Sequence, residues 1–310
     1  MKKLLTAIVL LIATAAATLY LSPVALLATL QFVEQQMAGF SEKQVQVGDF
    51  NIHYYEGGPK GAPTVLLIHG FGADKDNWLL FSRQLTDNYH VIALDLPGFG
   101  DSSKQADANY DLHAQTERLA AFVNQLGLQQ LNIVGNSMGG EIAALYAARY
   151  PQQMHSLALF ANAGIDSPQP SELQQILARG EPNPLLVSNA EDFNRLLDFV
   201  FVQPPPMPAA LKQHFAARAI ASRPLNQKIF QQLISNPQPL AAELRKIQVP
   251  TLLLWGDQDR LLDVSAIEVM QPLLKQPSVV IMQDCGHAPM IERPEEAAAH
   301  YLAFLDSIKG

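Results

Sequence analysis

The sequence runs to 310 residues with a formal net charge of −8, 48% apolar and 16% charged residues. That length suits one large α/β domain with an insertion, and the apolar share excludes a globally disordered chain. The acidic balance argues against a nucleic-acid partner, and the lone Cys285 excludes an internal disulfide. Zinc-type Cys/His spacing, a phosphate loop of the G-x-x-x-x-G-K type and internal repeats are all absent from the sequence.

Met1-Lys2-Lys3 precedes an uncharged stretch from Leu4 to Leu30, long enough for a bilayer crossing of about 20 apolar residues. A cleaved signal peptide is the competing reading, with Leu4–Ala13 as its apolar region and Ala15-Ala16-Ala17 as the cleavage site. The apolar character continuing to Leu30 favours a retained anchor over residues 1–36. Pro23 allows a split that leaves Leu26, Leu27, Leu30, Val33 and Met37 as one apolar stripe of an interfacial helix. Either way, the positive-inside bias keeps the lysines in the cytoplasm and exports residues 37–310. The protein is expected to be exported and anchored in the inner membrane, or secreted if the leader is cut.

Gln44–Val47 and Asn51–Tyr55 read as two strands joined at Gly48-Asp49. Thr64–Ile68 is a continuous apolar strand of the kind buried on both faces, and it ends in His69-Gly70-Phe71-Gly72. Asn77–Leu85 reads as a helix, Val91–Leu94 as a strand running into Asp95-Leu-Pro-Gly-Phe-Gly-Asp-Ser102, and Leu112–Leu126 as a helix. Leu131–Val134 and Ser156–Phe160 are strands flanking a Met138–Tyr150 helix. Between Asp166 and about Glu243 prolines cluster among short helical patterns, such as Glu191–Val200 and Leu211–Ile220. Their apolar faces predict a helical cap over about 166–243 rather than a linker. The alternation then resumes with a Thr251–Leu254 strand, a Val264–Leu274 helix, a Ser278–Met282 strand and a closing Pro294–Ile308 helix. This is the pattern of a doubly wound, mostly parallel sheet, whose sites form at the C-terminal strand ends.

One turn concentrates the chemistry. Gly135-Asn136-Ser137-Met138-Gly139 is a G-x-S-x-G pentapeptide between a strand and a helix, where a serine hydroxyl is held out on a strained turn. Ser137 is the candidate nucleophile, and it needs a base and an orienting acid. After such an elbow the chain order is acid, then histidine. His287, on the turn Asp284-Cys-Gly-His-Ala-Pro289 after a late strand, is the candidate base. The other histidines read as ordinary surface or core residues, and His69 as structural. For the acid, Trp255-Gly-Asp-Gln-Asp-Arg260 offers Asp257 and Asp259, between which spacing does not choose; Asp263 reads as a helix cap. Two backbone N–H groups should bind a developing oxyanion: that of Met138, at a helix start, and that of Phe71, after the Thr64–Ile68 strand.

Taken together and in this order, His69-Gly-Phe-Gly, Asp95-Leu-Pro-Gly-Phe-Gly-Asp-Ser, Gly135-Asn-Ser-Met-Gly-Gly, Trp255-Gly-Asp-Gln-Asp and Cys285-Gly-His resemble the α/β-hydrolase superfamily. Asn183-Pro-Leu-Leu186, Asp192-Phe193 and Asp198-Phe-Val200 are similar to bacterial lipases of the lipase 1 type (family V). Leu262-Asp-Val-Ser265 and Glu292-Arg-Pro294 are similar to the membrane-anchored monoacylglycerol lipases. The similarity covers about Val45 to Leu305. It implies the α/β-hydrolase fold, and it places the acid at the last position of W-G-x-x-D, Asp259. The lipoprotein cysteine that lipase 1 relatives carry in the leader is missing, so lipid anchoring does not carry over. The expected function is a serine carboxylester hydrolase acting on acylglycerols or related acyl esters, with no metal or organic cofactor. Epoxide hydrolases and haloalkane dehalogenases, with aspartate in place of Ser137, fall away. Carbon–carbon hydrolases with the same triad, or a silent membrane-anchored binding protein, are the alternatives.

Overall fold

The computed structural model describes residues 22–238 and 240–309. It begins with helix α1 (Pro23–Met37), started by Pro23 and by the Ser22 hydroxyl, which accepts from the Ala25 N–H. The expected bilayer anchor falls mostly on residues outside this range. Among the described residues no helix is long and apolar enough to cross a membrane. Residues Val24, Leu30, Phe32, Val33 and Met37 of α1 lie exposed, while Leu26 and Leu27 are half-buried. The division expected at residues 36 and 37 cuts this helix in its last turn. Hydrogen bonds from Gln31 to Asp76 and from Gln35 to the Tyr55 hydroxyl tie α1 to the body.

Strands β1 (Phe40–Val47) and β2 (Phe50–Gly57) form a hairpin whose two-residue loop has Gly48 at φ 54°. Then follow β3 (Thr64–Ile68), α2 (Leu79–Ser82), β4 (His90–Leu94), α3 (Leu112–Gln125), β5 (Leu131–Asn136), α4 (Met138–Arg149) and β6 (Met154–Phe160). The helices α5 (Glu172–Ala178), α6 (Ala190–Val200), α7 (Ala209–Ser235) and α8 (Leu240–Leu244) separate β6 from β7 (Thr251–Gly256). The chain closes with α9 (Ala266–Met270), β8 (Pro277–Met282), α10 (Pro289–Glu292) and α11 (Pro294–Ser307).

The strands form one sheet in the order β1-β2-β4-β3-β5-β6-β7-β8. Pairings β1–β2 and β2–β4 are antiparallel and the rest are parallel. Side chains alternate across it: Leu66, Ile68 and Ile133 join an apolar layer with α3 and α4, whereas Val65, Leu67 and Val134 join one with α2 and α11. Both faces are thereby covered, which is why the parallel strands are apolar throughout.

Three helices differ from expectation. Asn77–Leu85 is a 3₁₀ turn, Lys75–Trp78, followed by the short α2. Val264–Leu274 is reduced to α9 and a 3₁₀ turn at Gln271–Leu273, where Pro272 supplies no N–H for a continuing helix. The third change is an extension. The pattern over Leu211–Ile220 continues through Pro224 to Ser235 as α7. Tertiary contacts beyond the proline hold it: Ile229 is fully buried, and Gln232 Oε1 accepts from the Tyr110 N–H at 2.7 Å.

Candidate active site

The turn between β5 and α4 sets the site. Ser137 has φ 55° and ψ −123°, a conformation that L-residues adopt only under constraint. The constraint comes from close packing on either side. A Cβ on Gly135 would lie 2.3 Å from the Gly139 carbonyl oxygen, and one on Gly139 would lie 2.3 Å from that of His69. Only hydrogen fits at either position. The Ser137 N–H donates to the Phe160 carbonyl at 3.0 Å, and its carbonyl accepts from Ala163 at 3.0 Å. The elbow is thus locked to the end of β6.

His287 and Asp259 meet on the neighbouring turns. His287 Nδ1 lies 2.8 Å from Asp259 Oδ2, with both side chains buried. Asp259 Oδ1 accepts from the N–H groups of Leu261 at 2.8 Å and Leu262 at 3.0 Å. Asp257 does something else: its Oδ1 accepts from the Cys285 N–H at 3.3 Å, on the turn that carries the histidine. Of the two aspartates that spacing left open, the one at His287 is therefore Asp259. Asp263 accepts from the Ser265 N–H at 2.9 Å, at the approach to α9.

Asn136, the residue before the elbow serine, joins the two halves of the site. Its Nδ2 donates to the Phe160 carbonyl at 3.0 Å and to the His287 carbonyl at 3.1 Å. Glu292 adds a second clamp, accepting from Gly286 N–H at 2.8 Å and from Gln203 N–H at 2.7 Å. The His287 N–H itself donates to the Val200 carbonyl at 2.8 Å, so the end of α6 rests on the histidine turn. Both residues lie in motifs noted in the sequence, but neither clamping role was read there. The signal for Glu292 was its place on the short helix that the Pro289 after His287 starts.

The loop after β3 lies against the elbow: a Cβ on Gly70 would be 3.0 Å from Ser137 Cβ. His69 shapes that loop. Its Nε2 accepts from the Leu96 N–H at 3.0 Å, so Nδ1 carries the proton and donates to the Gly70 carbonyl at 2.7 Å. Burial pushes its pKa down, and the ring stays neutral. The Phe71 ring packs edge-on against Phe99 and against Phe230 of α7, at centroid distances of 5.9 and 5.7 Å. Met138 is buried at the first position of α4, where N–H groups have no intrahelical acceptor.

Behind this loop sits an ionic cluster that sequence reasoning missed, with Lys75 and Asp95 buried and Asp101 at the surface. Lys75 Nζ is 2.9 Å from Asp95 Oδ2 and 2.5 Å from Asp101 Oδ2. Burial alone would lower its pKa, but Asp95 and Asp101 outweigh that and hold the ammonium above its usual range. Asp95 also accepts from the backbone N–H groups of Lys75 and Asp101. Its readable trace was Asp95 through Asp101, in which Gly100 leaves no room for a side chain beside the Asp95 carboxyl.

Residues 63–294 match the protein family described as the alpha/beta hydrolase fold. The chain is 40% identical to Lipase 1 of Psychrobacter immobilis over 260 residues, covering 83% of this chain and 81% of that one. It is 34% identical to monoacylglycerol lipase abhd6-B of Xenopus laevis, covering 93% of this chain and 88% of that one. Among solved structures it is similar to a membrane phospholipase A described as a bacterial virulence factor. That match has 59% identity, a TM-score of 0.92 and full coverage of both chains.

Proposed function

The chain belongs to the alpha/beta hydrolase fold family and is a carboxylic ester hydrolase of the lipase type, and we propose that it cleaves acyl esters of glycerolipids through an acyl-enzyme on Ser137. The observation that carries this reading is the 2.8 Å contact of Asp259 with His287 Nδ1, on a turn that Asn136 ties to the serine elbow. With Nδ1–H engaged, Nε2 is left as the base that takes the Ser137 proton during attack on the ester carbonyl. The N–H groups of Phe71 and Met138 hold the tetrahedral oxyanion. His287 then protonates the departing alcohol, and water repeats the sequence on the acyl-enzyme. The helices over about 166–243 act as a cap, and Phe193, Phe199 and Phe201 are among its apolar side chains.

A membrane-tethered enzyme working outside the cytoplasm fits the uncharged stretch from Leu4 to Leu30 behind two lysines, the apolar residues exposed along α1 and the likeness to a membrane phospholipase A. The test is hydrolysis of p-nitrophenyl esters from acetate to palmitate by the full chain in detergent, beside Ser137→Ala. Activity that peaks at medium or long chains and disappears in the variant is expected. A wild type no faster than Ser137→Ala on every ester would sink the reading and move carbon–carbon hydrolysis or a binding role ahead.

A further inference from the structure

Arg260, the residue after Asp259, fastens the acid turn to the cap. Its guanidinium meets Glu172, the first residue of α5, through two hydrogen bonds: Nε to Oε2 at 2.6 Å and Nη2 to Oε1 at 2.8 Å. Its Nη1 donates to the Asp198 carbonyl of α6 at 2.9 Å, and the group lies 4.8 Å from the centre of the Phe199 ring. The Arg260 carbonyl accepts from the Leu173 N–H at 3.1 Å, so backbone and side chain both hold this part of the cap. The next residue, Leu261, packs with Leu173 and Phe199 in a small buried apolar cluster.

These contacts bear on Asp259 through the backbone. The N–H groups that hold Asp259 Oδ1 belong to Leu261 and Leu262, the two residues after Arg260. The histidine turn reaches the same end of the cap. The His287 N–H meets the Val200 carbonyl, Glu292 bridges Gly286 to Gln203, and a Cβ on Gly286 would lie 2.4 Å from the Val200 carbonyl oxygen. Acid and base are thus each fastened to the cap at α6. The pair of Arg260 with Glu172 is half-exposed, and exposed ion pairs add little to global stability. Its forked geometry does something else: two parallel bonds fix the plane and position of the guanidinium, which a lysine ammonium could not do.

We propose that Arg260 is a positioning residue: with Glu172 it mounts the Asp259 turn on α5 and α6, so that these helices set the orientation of the Asp259–His287 pair. This rests on the serine-esterase reading above. A misplacement of about 1 Å at such a pair costs up to about 10²-fold in rate.

The test is hydrolysis of p-nitrophenyl butyrate by the full chain in detergent, with active sites counted by a serine-labelling fluorophosphonate. Arg179, at the end of α5, pairs with Glu181 and serves as the control for loss of a surface ion pair. Arg260→Ala should lower kcat per active site about tenfold or more, with KM within about twofold and Tm within about 3 °C of wild type. Arg260→Lys should recover only part of that loss, and Arg179→Ala should match wild type. Glu172→Ala should lower kcat in the same direction, and the double variant should fall no further than Arg260→Ala. The far-downfield proton resonance of an imidazole Nδ1–H held by a carboxylate should move or weaken in Arg260→Ala and stay in place in Arg179→Ala. If Arg260→Ala does not fold, Arg260→Lys and Glu172→Ala carry the comparison. An unchanged kcat per active site overturns the mount, as does a rise in KM alone or an equal change in Arg179→Ala. A wild type that neither turns over the ester nor takes the label would instead fall on the esterase reading itself.

Discussion

His287 is held through one ring nitrogen, and that fixes what its neighbouring carboxylates can do. Asp259 accepts from two turn amides and the imidazole, so all its donors are in place before substrate arrives. Asp259→Asn would offer an N–H where the ring needs an acceptor and would favour the wrong tautomer. A loss in kcat of roughly 10⁴ is expected, with the fold intact by circular dichroism. Asp257→Asn should lose far less, since Asp257 reaches only the Cys285 N–H. Glu141 gives a different signature. Its carboxyl titrates near 7 in the fold against an ordinary value of 4.5, with burial as the cause. Between those values the native state holds a proton that the unfolded state releases, so stability falls as pH rises through that window and levels off above it. Glu141→Gln removes this slope, and its unfolding free energy from urea titration should exceed wild type at pH 8, by at most on the order of 3 kcal/mol, and match it more closely at pH 4.5. A wild-type-like pH profile in Glu141→Gln would mean that Glu141 is not the group titrating there.

At the scale of elements, α4 is set by its glycines more than by helix propensity. Gly139 lets the first turn descend onto β3, where a Cβ would meet the carbonyl oxygens of His69 and Ile68 at 2.3 and 2.4 Å. Both are backbone atoms that no rotamer change can move. Gly139→Ala should therefore cost roughly 1–3 kcal/mol or more and displace the Met138 N–H, lowering kcat together with Tm. Retained Tm with retained activity would show that α4 has room to shift. This packing was legible beforehand, because G-x-S-x-G encodes close approach in residue type. The parallel strands were legible for a similar reason: burial on both faces leaves an unbroken apolar run. The choice of Asp259 over Asp257 was not legible from spacing and came only from the family resemblance, since two aspartates in one turn differ only in which amides and which ring each meets. Glu141 was invisible as well; a glutamate in a helix reads as solvated until the close packing of Gly164 against its carboxyl is known. The full length of α7 was hidden by Pro224, whose local penalty is overruled by contacts on Ile229 and Gln232.

The whole molecule joins its amino-terminal helix to the candidate site through a short chain of contacts. α1 packs against α7, and Phe230 of α7 packs on Phe71 beside the elbow. α1 is also fixed to the body by Gln31 on Asp76, Gln35 on Tyr55 and the Glu34–Arg83 ion pair. Val24, Leu30, Phe32, Val33 and Met37 of α1 nevertheless stay between 42% and 60% exposed. Exposed apolar residues on one helix, with the uncharged stretch from Leu4 onward before it in the sequence, are the basis for the proposed contact of α1 with a bilayer. On that proposal, inserting side chains of this size would be worth about 1.5–3 kcal/mol each. The triple change Phe32→Ser, Val33→Ser and Met37→Ser leaves the leader in place and leaves the site's own residues untouched. Hydrolysis of soluble p-nitrophenyl butyrate should then stay within about twofold of wild type, while release of fatty acid from phospholipid vesicles falls about tenfold or more. Equal rates on vesicles would show that the leader alone brings lipid to the site. Equal losses on both substrates would show that α1 supports the fold of the site and not its contact with lipid.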